Sequence, residues 1–153
     1  MKECDFESSL TEAEIACKSK LHGLFDNVQT KRSTNPGLPD CNVFDIGYLY
    51  TPDGTTFNPC AYHWRAQLDL YRRDRTVLQK EIMRVLAAFP VNADYKPDDD
   101  LRANSNVLQF RVAPETRSVS EITTTQVWTD KDAKPIMTYT AAIQFDVVFQ
   151  ARF

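Results

Sequence analysis

The sequence has few of the residues on which most catalytic and cofactor sites depend. Its 153 residues include only four glycines and two histidines, and they contain no glycine-rich motif for phosphate or dinucleotide binding. A Gly-x-Ser-x-Gly turn is also missing, and neither His22 nor His63 stands in a recognisable pattern of nucleophile and base. We therefore expect no enzymatic activity and no cofactor.

Long apolar runs and a strong charge of either sign are also missing. No uninterrupted apolar stretch approaches the roughly 18 residues that span a membrane, and no secretory leader is recognisable. The net charge of −3 lacks the basic excess of a dedicated nucleic-acid-binding protein. We expect one domain over residues 1–153, with a flexible arm over residues 1–9, that binds neither membranes nor a specific nucleic acid.

The cysteines do not form a metal-binding pattern. Four occur, none of them in a Cys-x-x-Cys pair: Cys4, Cys17, Cys41 and Cys60. In a cytosol such thiols stay reduced, with a Cys41–Cys60 disulfide as the weaker alternative. The pairs Cys60 with His63 and Cys17 with His22 do not supply the four well-spaced ligands of a zinc site. We predict free thiols and no bound metal.

Two segments have the apolar spacing of amphipathic helices. The first is predicted from Thr11 to Val28, with a capping box formed by Thr11 and Glu14 at its start. The second follows Asp74, which has the side chain of an N-cap residue, and is ended by Pro90.

Five further segments are predicted as strands, over residues 43–50, 62–70, 107–113, 121–129 and 137–153. In the last of them nine apolar residues fall on one face with period two, which no helix produces. At ~3.3 Å per residue this strand would span about 55 Å. We expect it either to bend at a bulge or to pair in part with a neighbouring subunit. The order α-β-β-α-β-β-β predicts an α+β two-layer domain, an antiparallel sheet with two helices on one face.

Two charged clusters have the most functional potential. Arg72, Arg73 and Arg75 lie at a junction between a strand and a helix, and Asp98–Asp100 lie at the predicted tip of a long loop. The aspartates lack the shaping glycine of a calcium loop, so they are either solvated or a docking point for a basic surface. The arginines are either solvated or contact the acidic loop of a neighbouring subunit, because arginine is enriched in protein interfaces.

The block from Trp64 to Phe89, in which the alternating strand WRAQLDLY precedes an amphipathic helix, resembles the central segment of a phage protein family. That family is the tail-terminator and tail-completion proteins of long-tailed bacteriophages, and its element order and length also agree with this chain. The resemblance implies a structural virion protein of the tail and neck, assembled in the host cytoplasm. It implies a hexameric ring that caps the tail tube and joins it to neck or connector proteins.

A closed ring of this kind is heterologous, so one surface of each subunit must complement a different surface of the next. We therefore predict that the arginine junction, the acidic loop and the last strand contribute to a subunit interface. The residues concerned are Arg72, Arg73, Arg75, Asp98, Asp99, Asp100, Phe149 and Phe153.

Two other functions are compatible with the sequence. One is a monomeric binding module with an exposed sheet face or groove, lined by Tyr48, Tyr50 and Trp128, or another component of a phage neck. The other is a small enzyme that uses carboxylates, with Asp98–Asp100 as its metal site.

Overall fold

The computed structural model describes residues 6–26, 28–30, 42–50, 61–91, 96–103, 109–113, 116–129 and 135–150. These residues form a seven-stranded sheet, antiparallel except for its first short strand, together with helices. In chain order the elements are α1 (Phe6–His22), β1 (Gln29–Thr30), β2 (Asn42–Tyr50), β3 (Ala61–Arg72), α2 (Arg75–Ala88), α3 (Asp99–Ala103), β4 (Gln109–Val112), β5 (Ser118–Val119), β6 (Thr123–Thr129) and β7 (Pro135–Gln150). The predicted α+β two-layer architecture with a long C-terminal strand is confirmed.

The strand β7 lies inside the sheet, with partners on both edges. Along one edge it pairs with β3, from Gln150 opposite Ala61 to Tyr139 opposite Arg72. Along the other edge it pairs with β4, β5 and β6 one after another. Of the two expected alternatives, pairing with a neighbouring subunit is not needed for residues 135–150, because the chain itself supplies partners on both edges. The pairing of β7 with β3 is regular throughout, whereas its pairing with β6 has a register shift between Gln126 and Trp128.

The core lies between one face of the sheet and the helices. Phe44, Leu68 and Ile143 are cross-strand neighbours on this face, and each is at most 1% exposed. From α2, Phe89 stacks on Phe145 of β7 with ring centroids 4.8 Å apart. Burying each of these large side chains contributes roughly 1.5–3 kcal/mol to the free energy of unfolding.

The start of α1 differs from the prediction. The helix begins at Phe6, so Thr11 lies inside it and the predicted capping box is wrong. The predicted flexible arm is wrong for residues 6–9, which belong to the helix. Leu10 packs against the buried core, and this tertiary contact explains why the helix extends beyond its local start signal.

The end of α1 also comes earlier than predicted, at His22 rather than Val28. Glycine in a helix interior costs about 1 kcal/mol relative to alanine, and Gly23 follows His22 directly. The Gly23 N–H donates to the Lys20 carbonyl at 3.2 Å, a bond that tightens the last turn. Phe25, beyond this turn, is nevertheless buried in the core.

Candidate subunit interface

The arginine junction is built around the start of α2. The Asp74 carboxylate accepts hydrogen bonds from the backbone N–H groups of Thr76 at 2.7 Å and Val77 at 3.4 Å. The predicted N-cap is therefore confirmed, and it fixes the turn between β3 and α2. Arg73 and Arg75, on either side of the cap, are both exposed.

Arg72 differs from its two neighbours because it is only 5% exposed. Its guanidinium donates to the Asn42 side-chain oxygen and, at 2.9 Å, to the Tyr71 carbonyl. It also lies over the Phe25 ring, 5.5 Å from the ring centroid. These contacts hold Arg72 inside its own subunit and make it less accessible to a neighbouring subunit than Arg73 and Arg75; its place in the interface stays a prediction.

The position of Arg75 is electrostatically unfavourable with respect to the dipole of α2. The N-terminus of a helix carries a partial positive charge, and a cation there typically costs about 0.3–1 kcal/mol. Arg75 is the first residue of α2, and the first turn of this helix contains no acidic residue. The helix dipole therefore does not account for an arginine at position 75.

The three aspartates are at the start of α3, so the predicted loop tip is wrong; solvation is wrong for Asp98, whereas Asp99 and Asp100 are exposed. Asp98 caps α3 by accepting a hydrogen bond from the Leu101 backbone N–H at 3.1 Å. Its other carboxylate oxygen lies 2.7 Å from Lys20 Nζ, and both side chains of this ion pair are at most 14% exposed. Asp98 thus ties α3 to α1 within the subunit.

Asp99 and Asp100 are exposed. The Asp99 side chain is 92% exposed, and its contact with Arg102 is 3.7 Å long, a type of surface pair that contributes little to stability. Both residues border a cleft of about 800 Å³ between the C-terminal ends of α1 and α2, with Leu24, Ala88 and Val91 among its apolar lining residues.

The two exposed clusters lie at opposite ends of α2. Arg75 begins this 14-residue helix, and the residues at its C-terminal end line the cleft together with Asp99 and Asp100. At 1.5 Å per residue the helix separates the clusters by about 20 Å. Direct pairing between the clusters therefore requires two copies of the chain.

The remaining predicted interface residues belong to the last strand. The Phe149 backbone pairs with Tyr62 on one side and Phe110 on the other, while its side chain lies outside the described residues. Phe153 also lies outside them, as do the side chains of Tyr48, Tyr50 and Trp128.

The sheet face away from the helices carries a hydrogen-bonded ladder that the sequence analysis did not identify. Arg65 Nε lies 3.2 Å from the Asp146 carboxylate, and the Gln144 side chain donates to the Gln67 side chain at 2.8 Å. Gln67 in turn donates to Asp69 at 2.9 Å. The alternation of β3 predicts the polar character of this face, but only the register with β7 pairs these side chains. The ladder satisfies its own polar groups and holds β3 against β7.

The described residues include no group of three His, Cys, Asp or Glu side chains placed to hold a metal ion. Cys17 is a free thiol on the buried face of α1, and this burial raises its pKa to about 12. The other three cysteines lie outside the described residues. No described helix combines the length and the apolar character needed to cross a membrane.

The chain matches none of the protein-family models and none of the curated proteins with which it was compared. Its function is therefore inferred from its own residues, above all from the two charged clusters at the ends of α2.

Proposed function

We propose that this chain is a structural subunit that joins copies of itself head to tail into a closed ring. In this proposal it serves a phage virion as the tail terminators do, capping a tail tube and joining it to neck or connector proteins. The observation that carries the proposal is the exposure of Arg73 and Arg75 at one end of α2 and of Asp99 and Asp100 beside the other end.

Opposite charges at separate places are what a heterologous interface requires. Each subunit of such a ring offers two different surfaces, and every contact joins one of each. Complementary charge orients the partners and disfavours the wrong pairing of like with like. Arg75 stands at the positive end of the α2 dipole, where a cation does not stabilise the helix, and this supports a role for it outside the isolated subunit.

The first test is the charge reversal Arg75→Glu. A carboxylate at the start of α2 interacts favourably with the helix dipole, so we expect the free energy of unfolding to rise by about 0.3–1 kcal/mol. We expect ring formation to weaken at least tenfold in the same variant, measured as native mass against concentration. Lys80→Glu is the matched control, because Lys80 is exposed on the same helix and its reversal changes the charge equally.

The second test exchanges the two charges within one chain. In the double variant Arg75→Glu, Asp99→Arg, positions 75 and 99 again carry opposite charges while Arg73 and Asp100 keep theirs, so we expect the ring to return. These clusters do not form the interface if Arg75→Glu assembles like the parent chain. The same conclusion follows if the double variant forms rings no better than Arg75→Glu alone.

The cleft favours a second candidate function, a monomeric module that binds a ligand between α1, α2 and α3. Its mixed lining of apolar and charged side chains, with the Lys20–Asp98 ion pair on its wall, offers both contact types that ligand pockets use. A protein of this kind stays monomeric at every concentration, and Arg75→Glu leaves its mass unchanged.

A further inference from the structure

The strand β6 forms an edge of the sheet. Its residues Thr123–Thr129 pair with β7 on one side. In the parts of the chain that the structure describes, no strand lies along its other side. Backbone N–H and C=O groups on such an edge are a template for pairing with another strand.

This edge lacks most of the features that protect natural edge strands from pairing. Its seven residues, TTTQVWT, include neither a charged residue nor a proline, whereas natural edges are usually short, charged or interrupted by proline. The neighbouring strands on the same side are protected, since β4 contains Arg111 and β5 has only two residues. The single irregularity of β6 comes after Gln126, and it leaves Thr123–Gln126 in regular pairing geometry.

Two exposed apolar side chains lie on strands adjacent to this edge, one on β5 and one on β7. Val119 of β5 is 40% exposed and Met137 of β7 is 52% exposed. Ile143 of β7 is buried on the face of the sheet that carries the helices. Val119 lies directly opposite Ile143, and Met137 is an even number of residues from it along β7, so both side chains are on that same face. A strand added to β6 would extend this face beside them.

We propose that β6 is a dimerisation edge that pairs antiparallel with β6 of a second copy of this chain. Identical antiparallel strands are related by a two-fold axis, so one self-complementary edge is sufficient. When such an edge pairs with itself, like charges must not lie opposite each other, and β6 contains no charged residue. Threonine pairs across strands are also favourable. The axis is perpendicular to the sheet, so the exposed Val119 and Met137 of both copies lie on one side. The proposal does not depend on the head-to-tail ring.

The test places like charges on this edge. Thr123 and Thr124 are exposed, so the double variant Thr123→Lys, Thr124→Lys should fold normally. We expect its dimer affinity to fall at least tenfold, measured by sedimentation equilibrium up to about 1 mM chain. The control Thr11→Lys, Gln79→Lys adds the same charge at exposed helix positions and should dimerise like the parent. All chains carry Arg75→Glu, which keeps the ring contact out of the measurement.

A charge-matched mixture provides the second readout. The variant Thr123→Glu, Thr124→Glu should also be monomeric alone, and mixing it with the lysine variant should give a heterodimer. Hydrogen exchange at residues 123–126 should slow in the dimer. A parent chain that is monomeric up to about 1 mM, a lysine variant that dimerises like the parent, or a mixture that stays monomeric overturns the proposal.

Discussion

Residues of one type that are adjacent in this chain have different roles because they are buried to different extents. Arg72 contacts Asn42 and Phe25 inside the subunit, whereas Arg73 is exposed. Asp98 pairs with a lysine of α1, whereas Asp99 extends into solvent. The charge clusters are visible in the sequence. Which residue of each cluster is buried inside the subunit depends on contacts with residues that are distant in the sequence. Residue patterns therefore predicted where the charged surfaces lie and not which side chains form them.

Cys17 provides a prediction at the scale of a single residue. Burial raises the pKa of its thiol to about 12 from an ordinary value of 9.0. The unfolded chain therefore releases this proton at lower pH than the folded chain does. Below about pH 8 the thiol is protonated in both the folded and the unfolded chain, so it adds no pH dependence to the stability. As the pH rises from 9 towards 12, the free energy of unfolding falls by up to about 1.4 kcal/mol per pH unit.

The measurement is urea unfolding of the parent chain and of Cys17→Ala across this alkaline range. The stability difference between the two should shrink as the pH rises, because the variant lacks the thiol while sharing every other titrating group. A difference that stays constant with pH would show that the thiol is not buried as described.

Among the secondary-structure elements, those with strong local signals were predicted best. Asp74 and Pro90 bound α2 as expected, and the alternation of β3 agrees with its observed faces. The strands β1 and β5 were not predicted, because each has only two residues and is defined by its pairing partner. The short helix α3 was also missed, since a single helical turn is stabilised by its cap and its tertiary contacts more than by its sequence period.

The partners on both edges of β7 lead to a prediction at the scale of the sheet. Ile143 and Val119 lie opposite each other on β7 and β5, but Ile143 is fully buried and Val119 is 40% exposed. We expect Ile143→Ala to lower the free energy of unfolding by about 2–5 kcal/mol, because it leaves a cavity in the core. Val119→Ala should cost less than about 1 kcal/mol. Equal losses in chemical denaturation would mean that the helices do not cover this part of β7.

The described part of the molecule has two layers, and our two proposals give it two different kinds of outward contact. Along α2 the charge changes from the arginines at one end to the aspartates at the other, which suits a head-to-tail ring. Across the strands, β6 is an edge of the sheet among the residues that the structure describes, and this uncharged edge suits a two-fold dimer. The two-layer fold followed from the order and period of the apolar residues. The separation of the charged clusters did not, because it depends on how α2 lies across the sheet.

The native mass of the parent chain over a wide range of concentration, with negative-stain images of the same samples, tests the central claim most directly. The head-to-tail proposal predicts closed rings of uniform copy number, and the resemblance to tail terminators makes that number six. A chain that forms only monomers and dimers at every concentration, with no ring in the images, would contradict it.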